Sequence, residues 1–109
     1  MNTLQQPFGG FQILDGDAMR PPTDYAELET FLSSKDWIIE KTHVGDAEVS
    51  TVFLKLEHGG GMWFETMIFG GSHDEFCERY ATRAEAEAGH AAIVTALTEG
   101  RDPETAVLR

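Results

Sequence analysis

Four histidines stand among nineteen Asp and Glu residues, and imidazole with carboxylate is a donor set that binds zinc and other transition ions. Spacing decides which of them share a site. His58 and His73 fall in turns at opposite ends of one strand-like run, and eight residues at about 3.3 Å each hold those ends roughly 26 Å apart. No ion bridges them within one chain. His43, Asp46, His73 and Asp74 fall at the same end of a meander, because alternate turns of a meander lie on one side. They are the metal or small-enzyme candidates, with a solvated loop end as the alternative.

Other chemistry-bearing residues read more simply. His90 lies on the helix face expected to be buried, where one imidazole with a hydrogen-bond partner is an ordinary core feature. Beside Tyr80 or Thr66 it would also be placed to move a proton. Ser72, His73 and Asp74 are consecutive, whereas a nucleophilic triad converges from separate parts of a fold. Cys77 shares a strand side with Arg79, which would favour thiolate, but no base or oxyanion site accompanies it, so an inert thiol is expected. Gly59, Gly60 and Gly61 precede a strand rather than a helix and lack a Lys-Ser/Thr pair, so they read as a hairpin turn and not a phosphate loop. No catalytic set and no cofactor is expected.

The elements that would hold these residues follow from periodicity. After Pro21 and Pro22, Asp24 is spaced for a capping box with Glu27, and Tyr25, Leu28, Phe31 and Leu32 recur at helical intervals up to about Lys35. Runs at 37–44, 49–56, 62–69 and 76–80 read as strands joined by short turns, an antiparallel meander of three to four strands. Thr82 and Glu85 form a second capping box, opening a helix near Arg83 whose face Ala86, His90, Ile93 and Leu97 meets the sheet. Gly89 within that face implies a close approach, and Gly100 ends the helix. The fold class is α+β, one domain, with an N-terminal arm at 1–22, a folded core at 23–100 and a tail at 101–109 that is expected to be mobile.

Neither face of the predicted strands is wholly polar. Phe53, Trp63, Met67 and Phe69 are assigned to one outward side, to be covered either by the N-terminal helix and arm or by another molecule. Aromatics and Met are enriched in interface cores, so these four are the candidate interaction surface, and a homodimer is the commonest form of such an interface. A net charge of -11 opposes direct contact with nucleic acid or anionic membrane and favours a basic partner, including a protein built to hold DNA or RNA. The alternative is that acidity only maintains solubility. Apolar runs are too short to span a bilayer, the first sixteen residues lack a secretory signal, and the single Cys suits a reducing compartment, so a cytoplasmic location is expected.

From 45 to 94 the chain resembles a family of small proteins common in actinobacteria and their phages. The resemblance rests on Val49-Ser50-Thr51-Val52-Phe53-Leu54, Phe64-Glu65-Thr66-Met67-Ile68-Phe69-Gly70-Gly71, Arg79-Tyr80-Ala81-Thr82 and Ala84-Glu85-Ala86-Glu87-Ala88-Gly89-His90. It transfers no catalytic residues. It implies a phage or prophage accessory gene, and with the charge it sets the expectation of a non-enzymatic protein that binds and inhibits a host protein, in the manner of anti-defence or anti-CRISPR proteins.

Overall fold

The computed structural model describes residues 7–107. It is an α+β fold: a hairpin of β1 (Ile13–Asp15) and β2 (Ala18–Arg20), helix α1 (Tyr25–Ser33), strands β3 (Ile38–Val44), β4 (Ala47–Phe53), β5 (Phe64–Phe69) and β6 (Cys77–Tyr80), and helix α2 (Arg83–Thr98). The last four strands form an antiparallel sheet in sequence order, the expected meander.

Local chemistry sets the ends of both helices. The Asp24 carboxylate accepts from the Glu27 amide at 2.8 Å, capping α1. Arg20 donates twice to the Glu27 carboxylate, and the Thr23 amide donates to it at 2.7 Å. Those bonds hold the Glu27 carboxyl down at about 2, led by Arg20. Thr82 caps α2 through a reciprocal capping box with Glu85. Leu28 and Phe31 turn inward from α1, whereas Tyr25 is 76% exposed and packs edge-on against Phe8 instead of joining the buried face.

Cross-strand partners share a face of the sheet, so register gives the rows directly. On the face toward α2 lie Phe53, Phe64 and Tyr80, then Glu40, Thr51, Thr66 and Glu78, then Thr42, Val49 and Ile68. The opposite face carries Val52, Glu65 and Arg79, then Lys41, Ser50, Met67 and Cys77, then His43, Glu48 and Phe69. Lys55 has φ 75°, a left-handed conformation that ends the regular β4 ladder before the expected Leu56. Pairing still continues irregularly, with the Leu54 amide donating to the Trp63 carbonyl at 2.8 Å.

The core has two apolar groups. One joins Ile13, Leu28, Phe31, Phe53, Phe64 and Ala86; the other joins Ala47, Val49, Ile68 and Ile93. Two expected boundaries are therefore corrected. The arm contributes Ile13, only 3% exposed, so the folded unit begins before residue 23. The tail folds back as a 3-10 turn at Pro103–Ala106, with Pro103 buried and Ala106 packed on the second apolar group. Its start is fixed by the Arg101 amide, which donates to the Ala96 carbonyl at 2.7 Å.

Gly89 has the close approach expected of it, but to a side chain. A Cβ built there would lie 2.3 Å from the Tyr80 hydroxyl oxygen and 2.4 Å from a ring carbon. Ala is favoured over Gly inside a helix by ~1 kcal/mol, yet overpacking costs about 1–3 kcal/mol. Gly89→Ala is accordingly expected to lower unfolding free energy in urea titrations, and a variant as stable as the parent would show that Tyr80 is not held against the helix.

Candidate functional site

The most concentrated polar chemistry is buried. His90 is 1% exposed and stands between Ala86 and Ile93 along α2, above the Thr51–Thr66 row that separates the two apolar groups. Its Nδ1 lies 2.7 Å from Thr51 Oγ1, and its Nε2 lies 2.9 Å from Thr42 Oγ1. Thr51 and Thr66 hydroxyls are 2.5 Å apart, and the Tyr80 hydroxyl donates to Thr66 at 3.2 Å.

One donor sense runs unbroken along this chain and ends on the Thr42 oxygen. Tyr80 donates to Thr66, Thr66 to Thr51, Thr51 to His90 Nδ1, and His90 Nε2–H to Thr42. The reverse sense, from Thr42 to His90 Nε2 and from Nδ1–H through Thr51 and Thr66 to the Tyr80 oxygen, is equally complete but turns a bare Nε2 lone pair toward the Glu40 carboxylate 3.9 Å away. The first sense makes His90 a neutral Nε2–H tautomer. Burial pushes its pKa below the ordinary histidine value, while the Glu40 carboxylate, 3.9 Å from Nε2, opposes that shift less strongly. Burial likewise raises the Tyr80 phenol. The arrangement satisfies buried polar atoms, and unsatisfied ones cost about 1–3 kcal/mol each.

The four residues at the loop end do not converge. His43 sits on the face away from α2, 3.5 Å from Glu48 across the strand pair. Asp74 accepts from the Gly70 amide at 2.7 Å, closing the β5–β6 turn. Asp46 and His73 line a shallow hollow of about 280 Å³ together with Arg101. Among the described residues no group of three or more His, Cys, Asp or Glu side chains is placed to hold a metal.

The proposed interaction surface divides. Phe53 is fully buried, with its ring 6.0 Å from Phe31 and 5.3 Å from Phe64, so it is core and not surface. Trp63 stacks on Phe53 at 6.2 Å and packs on the same apolar group. It precedes the regular part of β5, so strand alternation does not assign its side. Helix α1 and the arm cover this pair. Met67 and Phe69 remain on the opposite face, which contributes nothing to either apolar group, and Phe69 is 48% exposed.

Cys77 is exposed but not activated. Burial of the sulfur, and then its bond to the Glu65 carboxylate at 3.3 Å, push its pKa up to about 11. Arg79 acts the other way but more weakly, because its guanidinium is bonded to Glu65 at 2.9 Å. The expected thiolate-favouring role of Arg79 is thus outweighed.

A cleft of about 580 Å³ opens between β6, the first half of α2 and the returning C-terminal turn, walled by Met62, Tyr80, Ala84, Ala88, Gly89, Ile93, Ala106 and Val107. Glu78, Arg79 and Glu85 stand at it. Sequence reasoning missed this cleft, because its walls come from three separated segments, one of them assigned to a mobile tail. It also missed Thr42 and Glu40; the signal was the pairing register, which sets Thr51 opposite Thr66 and carries the polar row out to the β3 edge.

Comparison with known proteins gives no match to any family model, curated protein or solved structure. No helix among the described residues is long and apolar enough to cross a membrane.

Two measurements check the electrostatics. His90 has a lowered folded pKa against an ordinary value of 6.5, so below that value the unfolded chain binds the extra proton and stability falls with pH. Wild type should lose up to about 1.4 kcal/mol per pH unit more than His90→Gln on descending from pH 6.5; an identical slope in urea titrations would contradict a buried neutral imidazole. For Cys77, iodoacetamide at pH 8 should react on the order of a hundredfold slower than with an ordinary thiol, and Glu65→Gln should speed it. An ordinary rate in the parent would refute the raised pKa.

Proposed function

We propose that this protein is a non-enzymatic binding protein that uses surplus surface carboxylate to engage a basic surface on another protein. The observation that carries this reading is how the few cations are used. Arg20, Arg79, Arg83 and Arg101 are each already in ion pairs with carboxylates of the same chain. Lys55 lies over the Trp37 ring at 4.1 Å. Glu29, Asp36, Glu57 and Glu75 are exposed, and no cation among the described residues pairs with them. The net charge of -11 therefore projects outward as an anionic field, which speeds encounter with positive surfaces and is screened by salt.

Recognition needs an apolar anchor as well as charge. Met67 and Phe69 supply one on the open sheet face, with Glu48 in the row of Phe69 and Glu65 in the row next to that of Met67. A partner that normally holds DNA or RNA has the matching chemistry, and a protein covering that surface would inhibit it. The resemblance of the 45–94 segment to actinobacterial and phage proteins supports a phage or mobile-element accessory role, of the anti-defence or anti-CRISPR kind, acting in the cytoplasm on a host protein.

The test uses nucleic-acid-binding proteins enriched on heparin and passed over the immobilised chain. The parent should retain a discrete protein that duplex DNA or 0.5 M salt displaces. The variant Glu29→Gln, Asp36→Asn, Glu57→Gln, Glu75→Gln should retain it at least tenfold less well, and Phe69→Ala should weaken it separately. Equal retention by parent and neutralised variant would overturn the reading. A concentration-dependent doubling of mass in light scattering, abolished by Phe69→Ala, would instead assign the sheet face to a second copy of this chain.

A further inference from the structure

The cleft beside β6 has a chemistry of its own, distinct from the sheet face invoked above and independent of any macromolecular partner. We propose that it is a binding site for a small amphipathic cation, an apolar body carrying one ammonium or guanidinium group. Its volume of about 580 Å³ falls within the roughly 300–1,000 Å³ of small-molecule sites.

The walls explain why the body is apolar. Tyr80 turns its hydroxyl away into the buried threonine row, donating to Thr66 at 3.2 Å, so the polar end of this side chain is already satisfied. Gly89 lets the Tyr80 ring lie directly against α2, where a Cβ would collide with the hydroxyl oxygen and the ring edge, so the aromatic surface itself forms this wall. Ala88, exposed on α2, adds only a methyl group to the same wall.

The charged groups at the cleft explain the sign. Glu78 lies on the α2 side of β6, in the row of Thr66, and no cation among the described residues pairs with it. Glu85 is also at the cleft, its carboxylate accepting from the Ala81 amide at 3.1 Å and more weakly from Thr82. Among the described residues the positive group there is Arg79, which belongs to the row of the opposite face and is bonded to Glu65 at 2.9 Å. Two carboxylates thus face one cation that is already neutralised. An aromatic ring close to a carboxylate is a combination that selects organic cations over anions of the same shape, since ring and carboxylate both attract positive charge.

Titration calorimetry at pH 7 with three eight-carbon probes tests the proposal. n-Octylamine should bind one per chain, at least tenfold more tightly than n-octanol, and octanoate should show no saturable binding. Glu78→Gln should reduce the octylamine affinity about tenfold and leave octanol unchanged. Ala88→Trp, placed at an exposed helix position so that the fold persists by circular dichroism, should abolish both by filling the cleft. Octanoate binding as tightly as octylamine, or octylamine binding undiminished by Ala88→Trp, would overturn it.

Discussion

The fold depends on a polar row set across the middle of an apolar interface. Thr51 and Thr66 pair across β4 and β5, His90 descends from α2 onto them, and Thr42 and Tyr80 complete the chain at either end. Burying Thr51, Thr66 and His90 between Phe53 and Phe64 on one side and Val49 and Ile68 on the other is tolerable only if their polar atoms are bonded, which half-buried Thr42 and Tyr80 complete. That requirement fixes the register of four strands against the helix, because a one-residue slip would turn the threonines to the opposite face. Apolar burial supplies the gross stabilisation, at about 1.5–3 kcal/mol for each large side chain. The polar row selects a single arrangement among those that hydrophobic contact alone would allow.

The same row shapes the surface. Tyr80 reaches Thr66 only by lying across Gly89, and that crossing leaves the adjoining stretch of α2 lined by small residues, beside which the C-terminal turn forms a cleft. Groups that could resemble a catalytic constellation are each engaged separately. The thiol of Cys77 is held protonated, the imidazole of His90 is held neutral, and the loop histidines are dispersed. What faces outward is carboxylate, with Met67 and Phe69 as apolar points on an open sheet.

Much of the architecture was legible because local signals and the fold agree. The Asp24 cap, the Thr82 and Glu85 capping box, the turn at Gly45 and Asp46, the meander and the buried face of Ala86, His90 and Ile93 all follow from short-range rules, although Glu27 closes back on Thr23 and not on Asp24 as a capping box would. The face of Phe53 was not legible, since assigning it required knowing that Phe53 pairs with Phe64 and not with Trp63. Lys55 in a left-handed conformation breaks the alternation on which such an assignment relies. Pro103 was missed for a related reason: a short segment rich in Asp and Pro carries no periodicity, and only tertiary contact reveals that it is buried. Gly89 marked a close approach correctly, but a sequence cannot say that the partner is a tyrosine.

Among the described residues His90 is the buried titratable side chain, and the polar row across the core depends on its staying neutral. Imidazole 15N chemical shifts of His90 between pH 8 and pH 5 test it most directly. The account predicts an unprotonated Nδ1 and a protonated Nε2, both unchanged through pH 6.5 and below. A cationic imidazole appearing near pH 6.5 would contradict it.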